Sequence, residues 1–241
     1  MYQVKRSFGE KVFDFLNYSF MIFAAFTFLY PVWDTLILSF SNPTTARELG
    51  LRLYPKTFNL SSYIEVFNTD VIWIGYMNTI IRVIGAVILT VLVTYCGAYT
   101  LSKKNLPFKN VILIFILITM FFSGGLIPTY VLMRNLNLIN SRWALILPSL
   151  TSAWNLIITR NFISSLPDSL EESAFIDGAH PLIVVFKIMM PLSMPILAVL
   201  TLWTAVGHWN AWFDALIYVR AKEKMVLQLV LRRILIDQSE E

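Results

Sequence analysis

The chain has 241 residues, of which 57% are hydrophobic and 14% are charged, and its formal net charge is +4. Since soluble domains average about 25% charged residues, this composition indicates a membrane protein and excludes an ordinary soluble domain. The modest charge gives no case for nucleic-acid binding. The single cysteine, Cys96, excludes a disulfide framework and a cysteine-cluster metal site, and the two histidines lie far apart in the sequence.

Five apolar runs follow one another along the chain, each long enough or nearly long enough to cross a bilayer as a helix. They are residues 15–33, 83–102, 110–133, 143–159 and 188–213. Such continuous runs do not fit the alternating pattern of membrane β-strands. We therefore predict an all-α, polytopic helical bundle, with residues 1–14 as a cytoplasmic segment and 15–241 as one transmembrane domain. The first run lacks a small-residue cleavage site and is expected to stay in the protein.

The placement of lysine and arginine predicts how these spans are oriented. Basic residues precede the first span and favour a cytoplasmic N-terminus; they are Lys5, Arg6 and Lys11. Counting spans alternately places the loop 103–109 and the segment 160–187 in the cytoplasm, and the loop 39–70 outside. Arg134 and Arg142 then fall outside, as exceptions to the positive-inside rule. We expect a multi-pass protein of the cell membrane.

Within the third run, two adjacent glycines and a proline are expected to bend the helix near its outer end. These residues are Gly124, Gly125 and Pro128. Helices kink at proline and at glycine, and the freed backbone groups are tolerated where they meet water or neighbouring helices. For all three residues, bending is favoured over contact with a solute.

A polar stretch at residues 166–195 lies between two apolar runs, on the side predicted to be cytoplasmic. Its sequence predicts a helix, a turn and a second helix. Pro167 suits the first turn of the first helix, and Asp168 or Ser169 can cap it. The acidic residues that follow lie close to the positive end of the helix dipole, and they are Glu171 and Glu172.

The end of this first helix is also marked in the sequence. A short apolar face is supplied by Ala174, Phe175 and Ile176. Gly178 can adopt a positive φ for a turn, and Pro181 suits the start of the second helix. That second helix, 182–190, is apolar enough to lead into the bilayer.

The same stretch resembles the EAA loop in the permease subunits of ABC importers. The pattern of that loop is E-A-A, three residues, G, nine residues and I-x-L-P. The matching positions are Glu172, Ser173, Ala174, Gly178, Ile188 and Pro191, with Ser173 replacing an alanine and Met190 replacing the leucine. The surrounding sequences ESAFIDGA and IMMPLSMPIL resemble the sugar-transporting, maltose-type branch. Without the wider match, the stretch would equally fit an ordinary amphipathic hairpin between two spans.

In that family the loop forms a coupling helix that docks into a groove of the cytoplasmic ATPase subunit. The resemblance implies a coupling loop at 161–187 and a set of ATPase-coupling residues, namely Glu171, Glu172, Ser173, Ala174, Ile176, Asp177 and Gly178. By this resemblance Glu172 makes polar or ionic contacts, whereas Ala174 and Ile176 pack into the groove. Gly178 sets the turn.

Two further stretches resemble the branch of these permeases that handles complex or oligomeric carbohydrates. They are residues 121–161 and 205–214, the latter followed by LQLVLRR at 227–233. The outer loop 39–70 resembles the family's segment that helps to receive the solute-binding protein. A capped surface loop fits the sequence of this loop comparably well.

Polar side chains inside apolar runs are costly in lipid and should face a cavity or neighbouring helices. On this basis the candidate residues of the substrate pathway are Asn78, Arg82, Trp154, Asn155, Trp209, Asn210 and Trp212. Tryptophan rings beside an amide suit sugar rings and hydroxyls, but an aromatic belt at the membrane surface is the competing explanation. Arg82 could instead extend to the interface, and His208 is expected to be a hydrogen-bonded packing residue.

We predict a permease subunit of an ATP-driven ABC importer for a carbohydrate, in particular an oligosaccharide, that forms half of the translocation pore. The resemblance implies a type I importer transmembrane fold, whose sixth span is expected from the family but absent here. The partners that it implies are a second, homologous permease in a heterodimer, two ABC ATPases, an extracytoplasmic solute-binding lipoprotein, the carbohydrate and membrane lipid.

The sequence contains no phosphate-binding G-x-x-x-x-G-K-[ST] motif, so ATP and Mg are expected on the ATPase partners. The chain itself is expected to hold no cofactor or metal, to bind no nucleic acid and to catalyse no reaction. The alternatives are an ABC permease for a non-sugar solute and a stand-alone secondary transporter. A secondary transporter would show acidic residues in mid-span and internal repeats, and the sequence has neither.

Overall fold

The computed structural model describes residues 7–42, 51–55 and 57–237. The chain forms two compact units, Met1–Thr69 and Asp70–Glu241. Across the described residues the regular structure is helical, apart from one isolated two-residue bridge in the first unit. An all-α chain is therefore confirmed for this part of the protein.

The first unit is built on one long helix, α1, Phe8–Ser39. The predicted first span, 15–33, lies within α1, and most of the apolar side chains of this helix are exposed. A short helix, α2, Ser61–Phe67, ends the unit. Two of the basic residues that predict the orientation of the N-terminus, Lys5 and Arg6, lie outside the described residues.

The second unit is organised around α3, Asp70–Ser102, a helix about 50 Å long. The predicted second span, 83–102, lies within it. The buried face of α3 is a stripe of mainly small and polar residues at intervals of three and four, which lets neighbouring helices approach closely. The stripe includes Gly75, Asn78, Thr79, Arg82, Ala86, Thr90, Thr94 and Ala98.

The third apolar run forms two helices rather than one. Helix α4 covers Lys109–Phe121 and α5 covers Leu126–Asn135, and the two are bent by 111°. The break falls at Gly124 and Gly125, and Gly125 has a φ of +83°, a region that favours glycine. The predicted bend is therefore confirmed, whereas a continuous helix over 110–133 is not formed.

The predicted fourth span, 143–159, is wrong as a continuous helix. Its first part forms two 3₁₀ turns, Arg142–Leu145 and Leu147–Ser149, and α6 covers only Ala153–Ser164. Pro148 lacks a backbone N–H and restricts the residue before it, so an α-helix through this point would lose a hydrogen bond. Hydropathy alone does not register this restriction.

The polar stretch forms α7, Ser169–Ile176, followed after a turn by α8, Pro181–Leu192. The helix–turn–helix order that the sequence predicts is confirmed, and Pro181 takes the first position of its helix. Over Val184–Met189, α8 is π-helical. A π-helical stretch widens the helix locally and is frequently found at functional sites.

The fifth apolar run is also broken. Helix α9, Met194–Asn210, is bent by 79° from α8, and Pro191 and Pro195 lie on either side of the bend. Because proline cannot donate a backbone hydrogen bond, two prolines so close together weaken the helix at this point. The predicted continuous span 188–213 is therefore corrected to a bent pair that ends at Asn210.

Within the described residues, two single helices, α1 and α3, are long and apolar enough to cross a membrane. Each of the two bent pairs supplies one further crossing if it is counted as one span. The predicted helical bundle is confirmed, with two to four crossings by length and composition in place of five continuous spans.

Two apolar cores lie near opposite ends of α3. The distal core surrounds Ile72 and includes α10, Phe213–Tyr218, and α11, Leu227–Asp237. The coupling-end core surrounds Tyr95 and Ala98 and joins α3 to α6, α7, α8 and α9. Positions 72 and 98 are about 39 Å apart along the helix axis. We call these two regions the distal end and the coupling end.

Candidate functional site

The turn after α7 has the geometry that the sequence predicts. Gly178 has a φ of +79°. Its N–H donates to the carbonyl of Phe175 at 3.0 Å, and the N–H of Ala179 donates to the carbonyl of Ala174 at 2.9 Å. These two bonds form a Schellman motif, which ends a helix with a residue in the left-handed region. The predicted positive φ at Gly178 is confirmed.

The start of α7 differs in part from the prediction. Pro167 precedes the helix instead of occupying its first turn, and Asp168 holds the N-cap position. The carboxylate of Asp168 makes no capping bond and forms an ion pair with Lys104. Their hydrogen bond and opposite charges lower the pKa of Asp168 and raise the pKa of Lys104. Glu171 and Glu172 lie in the first turn, as predicted.

One face of α7 is turned toward its own chain. Ala174 is 8% exposed and packs into the core at the coupling end. The side chain of Glu171 is 16% exposed and forms an ion pair with Lys103, the residue that follows α3. The ammonium of Lys103 also lies 3.8 Å from the centre of the Tyr99 ring, as a cation–π contact.

The opposite face of α7 is exposed and includes Glu172, Ser173 and Ile176, and Asp177, the residue that follows the helix, is exposed as well. The side chain of Ile176 is 85% exposed, although it is large and apolar. The Ser173 hydroxyl donates to a carbonyl of its own helix at 2.8 Å. Ala174, which is predicted to pack into an ATPase groove, has its methyl group buried within this chain.

The C-terminus of α3 is held by two cations from neighbouring segments. The Nζ of Lys109 donates to the carbonyls of Ser102 and Lys103 at 3.1 and 2.9 Å. The Nε of Arg160 donates to the carbonyl of Leu101 at 3.3 Å. Cations in this place satisfy the last carbonyls of a helix and suit the negative end of its dipole. Together with α7 they line a cavity of about 430 Å³.

Arg82 lies in the half of α3 nearer the distal end, and the structure identifies its partners. The guanidinium forms an ion pair with Asp214. Its Nε donates to the Nδ1 of His208 at 3.1 Å, and its Nη1 donates to the carbonyl of Ala211 at 3.2 Å. The Arg82 side chain is 3% exposed, so it is enclosed by the protein instead of extending outward from α3. His208 is hydrogen-bonded, as predicted.

Asn78, one turn closer to the start of α3, forms hydrogen bonds through both the nitrogen and the oxygen of its side-chain amide. Its Nδ2 donates to the carbonyls of Glu223 and Met225 at 2.7 and 3.0 Å. Its Oδ1 accepts a hydrogen bond from Arg142 at 2.9 Å. Arg142, which is predicted to be an exception to the positive-inside rule, therefore has a structural partner. Asn78 is 4% exposed, and its hydrogen bonds join α3 to the first 3₁₀ turn and to the segment before α11.

A cavity of about 290 Å³ lies beside Arg82. Its polar and aromatic lining includes Thr90, Ser149, Asn155, Trp203, Thr204 and His208. Of the predicted pathway residues, the structure brings only Arg82 and Asn155 to this cavity. Trp203 and Thr204 were missed by the sequence reasoning. The four-residue spacing of Leu200, Thr204 and His208, all of them buried, would have indicated this face of α9.

The other predicted pathway residues lie elsewhere. Trp154 is 55% exposed. Trp209 lies edge-on to a tyrosine ring of α3, with the ring centres 6.3 Å apart. The Nδ2 of Asn210 donates to a carbonyl of its own helix at 2.9 Å. The guanidinium carbon of Arg232 lies 3.7 Å from the centre of the Trp212 ring, so the arginine covers one face of that ring.

Comparison with known proteins places this site in a protein family. The family described as "Binding-protein-dependent transport system inner membrane component" matches residues 95–219, a range that contains α7 and its turn. A Bacillus subtilis protein, "Polygalacturonan/rhamnogalacturonan transport system permease protein YtcP", is 37% identical over 95% of this chain and 80% of its own length. An arabinooligosaccharides transport system permease protein, AraQ of Halalkalibacterium halodurans, is 28% identical over 88% of this chain and 78% of its own length.

A solved structure is also similar to nearly the whole chain. It is a chain from a bacterial ABC transporter involved in the import of the acidic polysaccharide alginate. The TM-score is 0.94 at 31% identity, and the match covers 98% of this chain and 84% of the other.

Proposed function

Because this chain belongs to the family of binding-protein-dependent transport system inner membrane components, we propose that it is the permease subunit of an ABC importer for an oligosaccharide. It forms half of a translocation pore together with a second, homologous permease. Two cytoplasmic ATPases hold ATP and Mg, and an extracytoplasmic solute-binding lipoprotein delivers the carbohydrate. The chain lies in the cell membrane with its N-terminus in the cytoplasm.

The observation that carries this proposal is the outward face of α7. Glu172, Ile176 and Asp177 point away from the core of the chain, and the turn at Gly178 fixes how they are presented. An exposed isoleucine between acidic side chains suits a groove on a soluble protein, where the apolar group is buried and the charges meet partners. Glu172 supplies the polar contact to the ATPase and Ile176 packs into its groove. Glu171, Ala174 and Gly178 act by holding the helix.

The choice of an oligosaccharide is supported by the names of the relatives, which are permeases for polygalacturonan or arabino-oligosaccharides, and by the cavity beside Arg82. Trp203 offers a flat aromatic face that is 46% exposed. Asn155, Thr90 and Thr204 add an amide and two hydroxyl groups to the lining. An aromatic surface with a few polar groups is a common arrangement in ligand pockets. Sugar units therefore pass this cavity, and Trp154, Trp209, Asn210 and Trp212 are further candidates along the path.

Copurification tests the assembly. We expect an affinity-tagged chain to leave the membrane together with an ATPase and a second permease. Ile176→Asp should lower the recovered ATPase about tenfold or more, because a charge would be buried without a partner in the groove. The matched control is Leu235→Asp, an exposed apolar residue of α11 at the distal end, which should recover as much ATPase as the wild type. If the wild-type chain is recovered without an ATPase, the proposal is wrong.

Uptake tests the solute. In cells that carry the complete importer, we expect ATP-dependent uptake of a labelled oligogalacturonide or arabino-oligosaccharide that exceeds uptake of the corresponding monosaccharide. Trp203→Ala should reduce this uptake about fivefold or more, since stacking on the indole is lost while the cavity stays open. Uptake of a non-sugar solute alone would favour the alternative of a permease for another class of solute.

A further inference from the structure

The ion pair between Lys103 and Glu171 joins two elements that the proposed mechanism must move together. Lys103 directly follows α3, and Glu171 lies in the first turn of α7, on the face opposite Ile176. The two residues are 68 positions apart in the sequence. Their pairing therefore depends on the tertiary arrangement of the coupling end.

The Lys103–Glu171 pair is less exposed to solvent than the neighbouring Lys104–Asp168 pair. The side chains of Lys103 and Glu171 are 34% and 16% exposed, whereas those of Lys104 and Asp168 are 81% and 65% exposed. The Tyr99 ring supports the ammonium of Lys103 from one side. The second oxygen of Glu171, Oε1, is buried and accepts no hydrogen bond from the described residues. Loss of the lysine would thus leave a largely buried carboxylate without a partner.

The helix that Lys103 follows also carries the polar groups beside the cavity. Helix α3 is continuous from Asp70 to Ser102, and Arg82 and Thr90 of α3 both line the cavity. An unbroken helix transmits a displacement of its end along its axis, because its hydrogen-bonded backbone does not hinge without a kink. A pull on α7 that passes through Glu171 therefore reaches the cavity through one rigid element.

We propose that Lys103 and Glu171 form a coupling latch, through which motion of the ATPase-bound helix α7 is transferred to α3 and the cavity. This proposal rests on the proposed function, because it needs an ATPase that moves α7. Lys103 and Glu171 are positioning residues, since neither contacts the solute and Glu171 faces away from the docking side of α7. The latch explains why an acidic residue beside the docking face is turned inward.

The test is the number of ATP molecules hydrolysed per solute transported, measured with the complete importer and its binding protein in proteoliposomes. The single reversals Lys103→Glu and Glu171→Lys should raise this ratio at least about fivefold. A factor of about five is the lower end of the effects that two coupled sites usually have on each other. The exchange of both residues, Lys103→Glu with Glu171→Lys, should restore the pair and bring the ratio back toward the wild-type value. A merely structural role would change the yield of complex without changing this ratio.

The neighbouring exposed pair supplies the matched control. Lys104→Glu and Asp168→Lys introduce the same charge changes one residue and three residues away, and should alter the ratio less than about twofold, because exposed ion pairs contribute little. If a reversal prevents assembly, Lys103→Met and Glu171→Gln are measured instead and should raise the ratio in the same direction. A wild-type ratio in the assembled single variants would overturn the latch. Absence of solute-stimulated ATP hydrolysis in the wild type would instead overturn the proposed function.

Discussion

The two ends of α3 hold their polar groups in different ways. Toward the distal end, Asn78 and Arg82 are almost fully buried, and each donates at least one hydrogen bond to a backbone carbonyl. At the coupling end, Lys103 and Lys104 pair with carboxylates on side chains that keep partial or full contact with solvent. Buried bonds to backbone are expensive to break, whereas exposed ion pairs exchange with water at little cost.

This difference indicates which end of α3 keeps its contacts and which end can exchange some of them. The distal network ties α3 to the loops before α10 and α11 through side chains that are almost fully buried, so it should stay intact during transport. At the coupling end, the exposed Lys104–Asp168 pair can release and re-form because water is available to both side chains, whereas the less exposed Lys103–Glu171 pair should stay formed. Changes at the distal end should therefore reduce stability, and changes at the coupling end should mainly alter coupling.

The largest effect is expected for the buried guanidinium of Arg82. Arg82→Met would leave Asp214 without its partner, and breaking a buried pair in this way typically costs about 3–5 kcal/mol. Because the side chain of Asp214 is 29% exposed, we expect a loss at the lower end of this range. The apparent unfolding temperature in detergent should fall clearly. Arg220→Met, a change at an exposed arginine of the same end, should leave that temperature unchanged, and equal melting of the two variants would contradict the stabilising role of Arg82.

A smaller effect is expected where α3 meets α11 most closely. A Cβ at Gly75 would lie 3.1 Å from the Cα of Leu227, which is backbone and cannot rotate away. Gly75→Ala should push α11 outward and weaken the bond from the Leu227 N–H to the Thr79 hydroxyl, now 2.9 Å. Overpacking of this kind costs about 1–3 kcal/mol. We expect a lower unfolding temperature and faster proteolysis of the segment before α11.

The control for this variant is a glycine in open space. A Cβ at Gly207, inside α9, would meet no atom within 4 Å. Gly207→Ala should therefore keep or slightly raise the unfolding temperature, since alanine is the better helix former by about 0.5–1 kcal/mol. If both alanine variants behaved alike, close packing at the distal end would not be the cause.

The sequence predicted those features whose cause is local. The turn at Gly178 and the break at Gly124 and Gly125 follow from backbone angles that glycine alone adopts easily, so three or four residues suffice to recognise them. The inward direction of Ala174 was not predicted, because the matching loop pattern specifies residue types but not which face of the helix meets its own chain. The predicted span 143–159 was wrong because hydropathy does not take into account that Pro148 interrupts an α-helix.

Pairings between distant residues could not be predicted in the same way. Arg82 and Asp214 are 132 positions apart, and Asn78 and Arg142 are 64 positions apart. Their contacts depend on how α3, the 3₁₀ turns and α10 pack, which no single segment encodes. The sequence did indicate that an intramembrane arginine needs a partner, because an isolated charge in lipid is costly. The identity of that partner required the fold.

At the coupling end, the turn after α7 can be altered without disturbing either core. Gly178→Val places a β-branched residue at a φ of +79°, which costs about 1–2 kcal/mol and distorts the turn locally. We expect normal membrane insertion and normal yield, with transport uncoupled from ATP hydrolysis. Gly9→Val, at an exposed glycine near the start of α1 without a positive φ, should transport normally. Normal transport by Gly178→Val would show that the turn does not set the position of α7.

The smallest effect is expected at the exposed pair of Asp168 and Lys104. Lys104 lowers the pKa of Asp168, so any stabilisation from this carboxylate is present above its unfolded pKa and is lost only as the pH falls through the lower, folded value. The pKa of Lys104 is raised, so its contribution is lost only when the pH rises through that higher value. The pair therefore stays charged from about pH 6 to about pH 8. The ATP-to-solute ratio of Asp168→Asn should differ little from the wild-type ratio and should not depend on pH in this range. A ratio that changed with pH in the wild type but not in Asp168→Asn would show that the exposed pair, and not only the Lys103–Glu171 latch, carries the coupling.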